Sequence, residues 1–168
     1  MTEEVLENLI LSKKGLYVDC TFGSGGHSSK ILDQLDKEGK LVSMDKDRNA
    51  TNLLSEEFIK DSRFKIINDS FSKLSSYIDK ETAHGVLIDL GISSTQLDDS
   101  ERGFSFQTDG PLDMRMSLEG PTAEEFINKV EEKTLADIIY EYGDEVFSRR
   151  IAKNIANERL TKRINSTF

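Results

Sequence analysis

The chain has 168 residues, a net charge of −9, an isoelectric point near 4.8, and 36% hydrophobic against 32% charged residues. That leaves room for one domain, or one with a small appendage, and the bulk acidity argues against non-specific nucleic-acid binding, although a local basic face can override net charge. The single cysteine, Cys20, permits neither an intramolecular disulfide nor a cysteine metal cluster.

A reducing, cytoplasmic setting is therefore expected. No apolar run approaches the ~20 residues of a membrane span, and the acidic, amphipathic N-terminus is not a signal peptide. Glu3 to Leu11 carries Val5, Leu6, Leu9 and Ile10 at helical spacing. Leu16–Cys20 reads as a first strand, followed by the glycine-rich turn Gly23-Ser24-Gly25-Gly26 and a helix over His27–Leu35. Lys40–Met44 is the second strand and ends at Asp45. Asn49–Lys60 is expected to be one helix, with Leu53, Leu54, Phe58 and Ile59 on its buried side. Phe64–Ile67 is the third strand, and Phe71–Ile78 the helix after it. Gly85–Leu90 is a fourth strand, apolar enough to be buried on both faces.

Strands alternating with helices at this pace imply βαβ units and a parallel sheet. Gly91–Glu119, rich in Ser, Asp, Gly and Arg, reads as a long functional loop. From Pro121 the pattern is helical, with Thr122 as an N-cap followed by acidic residues. Further helices are expected over Thr134–Tyr142 and over Asp144–Arg159, the latter burying Val146, Phe147, Ile151 and Ile155. Four strands leave the last one without a neighbour. The expected reading is the N-terminal part of a longer protein, or a shortened relative of one. The alternative is a homodimer or a partner that covers the open sheet edge.

The candidate site gathers around the glycine turn. Glycines let the backbone approach a ligand where any Cβ would collide, and the following helix points its free N–H groups back at the turn. Asp45 stands 19 residues beyond Gly26, the place where an acid grips a ribose diol. Phe71 could pack on a base and Asp69 hydrogen-bond its edge; equally, Asp69 or Ser70 caps a helix and Phe71 is core. Asp89, Ser93 and Ser94 follow the fourth strand, at the carboxyl end of the sheet where such folds bind ligands. His27 is expected to face a cofactor or the backbone. No His/Cys/Asp set has metal-ligand spacing. Phe104, Phe106, Arg102 and Arg115 in the long loop could stack on a base or hold phosphate, or simply fasten the loop. Lys153, Arg159, Lys162 and Arg163 form a small basic cluster.

The runs VDCTFGSGGHS, MDKDRNA, DSFSKL, LIDLGISSTQLDDSERGFSF and DGPLDMRM closely resemble the bacterial 16S rRNA (cytosine-N4)-methyltransferase family, the MraW type. The resemblance runs from about Glu4 to Phe168. It implies a Rossmann-like class I methyltransferase sheet, here partial with about four strands, followed by a helical insertion segment. It implies a SAM-binding core over 1–104 and a substrate-recognition insertion over 105–168, both incomplete. It also implies S-adenosylmethionine as cofactor and small-subunit ribosomal RNA as substrate, methylated at the exocyclic N4 of a cytidine. Carried over position by position, the cofactor contacts fall on Gly25, Gly26, His27, Asp45, Phe71, Asp89 and Gln96. Only Gln96 rests on the resemblance alone. Asp89 is expected nearest the reacting amine, with Ser93 and Ser94 as further acceptors. Two other classes compete. One is a non-catalytic SAM- or RNA-binding fragment, or a partner-dependent subunit. The other is an NAD-type dehydrogenase, against which the absence of a G-x-G-x-x-G turn counts.

Overall fold

The computed structural model describes residues 2–52 and 54–168. An N-terminal helix, α1 (Thr2–Leu9), precedes four strands: β1 (Leu16–Asp19), β2 (Lys40–Asp45), β3 (Phe64–Asn68) and β4 (Gly85–Leu87). All pair in parallel, in the order β3-β2-β1-β4. The chain lays down β1, β2 and β3 outward, then returns to place β4 on the other side of β1. The strand order therefore reverses between β1 and β4, as the βαβ pattern requires of an open α/β sheet.

Helix α2 (Gly26–Gln34) follows the glycine turn. Its Ile31 and Leu32 pack with Tyr17, Phe22, Leu35, Leu41 and Phe58 into one core, against which Leu6, Leu9 and Ile10 also lean. Ile31 and Leu41 are fully buried, each worth roughly 1.5–3 kcal/mol of transfer free energy. The rings of Phe22, Phe58 and Phe64 form a cluster with centroids 4.6–5.9 Å apart.

The single helix expected over Asn49–Lys60 is two short ones, α3 (Arg48–Asn52) and α4 (Glu56–Lys60), the second opened by Ser55. Of its expected buried side, Leu54 and Phe58 join the core, Ile59 is 69% exposed, and Leu53 lies outside the described residues. Ile59 faces water because the restart at Ser55 resets the helical phase. Phe71–Ser76 is a 3-10 turn in place of the expected helix. β4 is also shorter than expected and is not buried on both faces. It ends at Leu87, and Val86, Ile88 and Leu90 are exposed. An apolar strand signal reports affinity for a neighbour, and among the described residues β4 has one on a single side.

The segment expected as a plain loop contains α5 (Ser94–Asp98) and a 3-10 turn over Ser100–Arg102. Arg102 is buried there and donates to the Arg115 carbonyl at 2.8 Å. Helices α6 (Ala123–Lys129), α7 (Glu132–Gly143) and α8 (Ser148–Glu158) follow. Thr122 and Glu125 form a reciprocal capping box at the start of α6. Val146 and Phe147 precede α8 and are exposed, so the expected burial of that pair fails: the chain turns through Asp144 with φ 49° and starts α8 only at Ser148. Leu135, Ala136 and Ala152 form a second core between α7 and α8. The molecule comprises two compact units, Met1–Thr95 with Met116–Leu118, and Gln96–Arg115 with Glu119–Phe168.

Candidate functional site

In the first unit, the chain leaving β1 threads between its two neighbouring strands. Cys20 N–H donates to the Leu87 carbonyl and Phe22 N–H to the Met44 carbonyl, both at 2.9 Å. The turn that follows needs glycine at two left-handed positions, Gly23 (φ 54°) and Gly25 (φ 81°). A Cβ on Gly25 would sit 2.7 Å from the Phe58 ring and 2.9 Å from Phe22. Gly26 differs: a Cβ there would meet nothing within 4 Å. So Gly25 is demanded by packing beneath the turn, whereas Gly26 keeps open the space above it.

A buried polar chain fixes this turn from below. Asp19 is fully buried; it accepts from Thr21 N–H at 3.1 Å and from the Ser28 hydroxyl at 2.6 Å. Ser28 and Ser43, both fully buried, have hydroxyls 2.8 Å apart. Ser28 spends its one proton on Asp19, so Ser43 must be the donor between them. β1, α2 and β2 are thereby tied at one point. Burial pushes the Asp19 carboxyl above its ordinary value, against the opposing pull of the Ser28 and Thr21 hydrogen bonds. Sequence reading passed over Asp19, Thr21, Ser28 and Ser43, since a strand-end acid and small hydroxyl residues carry no distinctive spacing.

Asp45 closes the turn from the β2 side. Its Oδ2 accepts from Gly23 N–H at 2.7 Å and its Oδ1 from Asp47 N–H at 2.8 Å. Asn68, paired beside it at the end of β3, donates to the Asp45 carbonyl at 2.9 Å. A carboxylate has about four lone-pair sites, so two backbone donors leave acceptor capacity for a diol. From the β4 side, Asp89 N–H donates to Thr21 Oγ1 at 2.8 Å, and Asp89 Oδ2 lies 3.6 Å from His27 Nδ1, an ion pair when the imidazole is protonated. Gly23 stands against Ser93, whose hydroxyl is 2.9 Å from that of Thr95.

The structure thus brings the turn with Gly25, Gly26 and His27 together with Asp45, Asp89 and Ser93 around the switch point. Ser94 opens α5. Phe71 is 41% exposed after β3, not core. Ser70 caps its turn by accepting from Ser72 N–H. Asp69 is engaged by Lys73, by the Tyr77 hydroxyl and by Ser70 N–H, which hold its carboxyl down at about 2. Gln96 is buried and belongs to the second compact unit. Among the described residues no group of three or more His, Cys, Asp and Glu could hold a metal ion. No described helix is long and apolar enough to cross a membrane.

The MraW methylase family model matches residues 1–168. The chain is 49% identical over 176 residues to the ribosomal RNA small subunit methyltransferase H of Marinomonas sp. strain MWYL1, covering 100% of this chain and 55% of that protein. It is 49% identical over 170 residues to the protein of the same name from Rickettsia felis, covering 99% and 54%. The chain therefore spans about half the length of these curated relatives. Among solved structures it is similar to an rRNA methylase from Streptococcus thermophilus, at 22% identity and a TM-score of 0.38, over 46% of this chain and 45% of that one.

Proposed function

Since the chain belongs to the MraW methylase family, we propose that it carries the cofactor site of an S-adenosylmethionine-dependent rRNA methyltransferase, acting in the cytoplasm on the exocyclic N4 of a cytidine in small-subunit rRNA. The observation that supports this best is the glycine turn clasped at the switch point, with Asp45 on one flank and Asp89 on the other. The residues fit that cofactor. Gly26 leaves open room at the head of a nine-residue helix, Asp45 retains acceptor sites for two ribose hydroxyls, and Phe71 offers an exposed ring to a base. The relatives, named as small-subunit rRNA methyltransferases, support small-subunit rRNA as the substrate class.

When bound, S-adenosylmethionine supplies an electrophilic sulfonium methyl group. The work of the chain is then alignment, and holding donor and acceptor in line supplies much of such a rate. A cytosine amine that gains a methyl group must shed a proton. Asp89 is the acceptor, a carboxylate with its side chain 64% exposed at the mouth of the turn. Ser93 and Ser94 accept from the amine and orient its lone pair. His27, beside Asp89, orients the carboxylate.

Transfer of a tritiated methyl group to small ribosomal subunits tests the reading. Asp89→Ala should lower the rate by about 10²–10⁴-fold, the usual worth of a positioned proton acceptor. Unchanged transfer with unchanged cofactor affinity would remove Asp89 from the mechanism. A second reading, a non-catalytic SAM- or RNA-binding part or a partner-dependent subunit, draws on the exposed outer edge of β4. Cofactor binding by calorimetry without any transfer selects it.

A further inference from the structure

The β1–β4 ladder ends in an unusual way. Its register pairs Tyr17 with Gly85, Val18 with Val86 and Asp19 with Leu87. Cys20 N–H continues it by donating to the Leu87 carbonyl. In a parallel ladder the next bond runs from Asp89 N–H to the Cys20 carbonyl. Here Asp89 N–H goes instead to the Thr21 hydroxyl oxygen, at 2.8 Å. A side chain has taken the place of a main-chain acceptor at the residue where β4 leaves the sheet. Thr21 is itself fixed, because its own N–H is held by the fully buried Asp19. On either side of Asp89, Ile88, Leu90 and Ile92 are exposed, so packing does little to place the segment.

We infer that Thr21 is a positioning residue: its hydroxyl draws Asp89 out of the sheet and relays the fixed geometry of Asp19 to the acid beside the glycine turn. The consequence for catalysis rests on the methyl-transfer reading above; the latch itself does not. Two substitutions separate the hydroxyl from the rest of the side chain. Thr21→Val keeps the β-branched shape and removes the acceptor; Thr21→Ser keeps the acceptor and removes the methyl.

The first readout is hydrogen exchange at the Asp89 amide in the full chain. In Thr21→Val it should speed by about fivefold to tenfold, the worth of one such hydrogen bond, while the Cys20 amide keeps its protection. Thr21→Ser should restore the wild-type rate. Equal Asp89 exchange in wild type and Thr21→Val, or loss of protection in Thr21→Ser as well, would overturn the latch. The second readout is methyl transfer. Thr21→Val should lower kcat by about tenfold with KM for the cofactor unchanged, as expected when an interaction serves the transition state alone. A rise in KM alone would overturn the positioning role. Wild-type protein that transfers no methyl group strikes the methyl-transfer reading, and the exchange result still decides the latch.

Discussion

The two strands that flank the switch point end in opposite ways. Past β1, Cys20, Phe22 and Ser28 are all buried, and the turn between them is held by Asp19 from below and Asp45 from the side. Past β4, Ile88, Leu90 and Ile92 stand in the open, and the Thr21 hydroxyl holds the backbone of Asp89. The first exit is fixed by buried groups of the protein itself; the second is a short tether on an exposed edge. The difference follows from position. β1 has a strand on each side and its Tyr17 lies in the main core, while β4 has one neighbour among the described residues. Mutations should therefore separate into those that damage the fold and those that damage only what the site does.

The largest effect is expected from Gly25→Ala. The new methyl group meets two rings of the aromatic cluster at a residue with φ 81°. Overpacking and a strained left-handed alanine together should cost about 2–4 kcal/mol, read as a lower urea midpoint with unchanged slope. A wild-type midpoint would mean that the turn is not packed as described.

Asp19 comes next. Asp19→Ala leaves the Ser28 hydroxyl and the Thr21 N–H without their acceptor, a loss of about 1–3 kcal/mol. Asp19→Asn keeps an acceptor and removes the charge. Because burial raises the Asp19 carboxyl above its ordinary value of 3.8, the acid favours the folded state fully below that value. It loses that contribution as pH rises through the folded value. The difference in unfolding free energy, Asp19→Asn minus wild type, should thus grow with pH from about 4 upward and then level off. Taking the difference cancels Asp69 and Asp113, whose carboxyls are held low by Lys73 and Arg115 and act in the opposite direction. A difference that stays flat across that range would mean Asp19 carries no burial penalty.

Gly26→Ala should leave the fold intact. The added methyl group meets nothing, and alanine suits a helix better than glycine by up to about 1 kcal/mol. Its effect belongs to the ligand: the space it fills is the space the turn keeps open, so cofactor affinity measured by calorimetry should fall by about tenfold or more, as when backbone approach is blocked. Unchanged affinity would move the cofactor away from this turn.

Much of this contrast was legible in the sequence on the β1 side and little on the β4 side. Strand, glycine turn and helix announce themselves through short-range chemistry, as does the Thr122–Glu125 capping box. Asp45 could be placed by its distance from the turn, yet its hydrogen bond to Gly23, 22 residues away, could not. GVLIDL reads as a strand buried on both faces because periodicity records side-chain type and not the number of neighbouring strands. Thr21 carries no spacing that marks it out. Its role depends on the register against β4, 68 residues further on, which no local pattern encodes. The break between α3 and α4 was missed for a related reason: apolar spacing persists across a stretch where the chain stops and restarts at Ser55.

The smallest effect on stability is expected at the β4 exit itself. Leu90 is 74% exposed, so Leu90→Ser removes little buried surface and should change the unfolding free energy by no more than about 0.5 kcal/mol. A loss well above that would show the segment to be packed and erase the contrast with β1. The same substitution bears on what meets this edge. Val86, Ile88, Leu90 and Ile92 together give an exposed apolar strip along and beyond β4, which has one neighbouring strand among the described residues, the kind of surface that associates. Sedimentation velocity on wild type and Leu90→Ser, at equal concentration, should show less self-association in the variant. The effect follows from surface removed from contact and not from any change in the fold, so it should appear while the unfolding curves still superimpose.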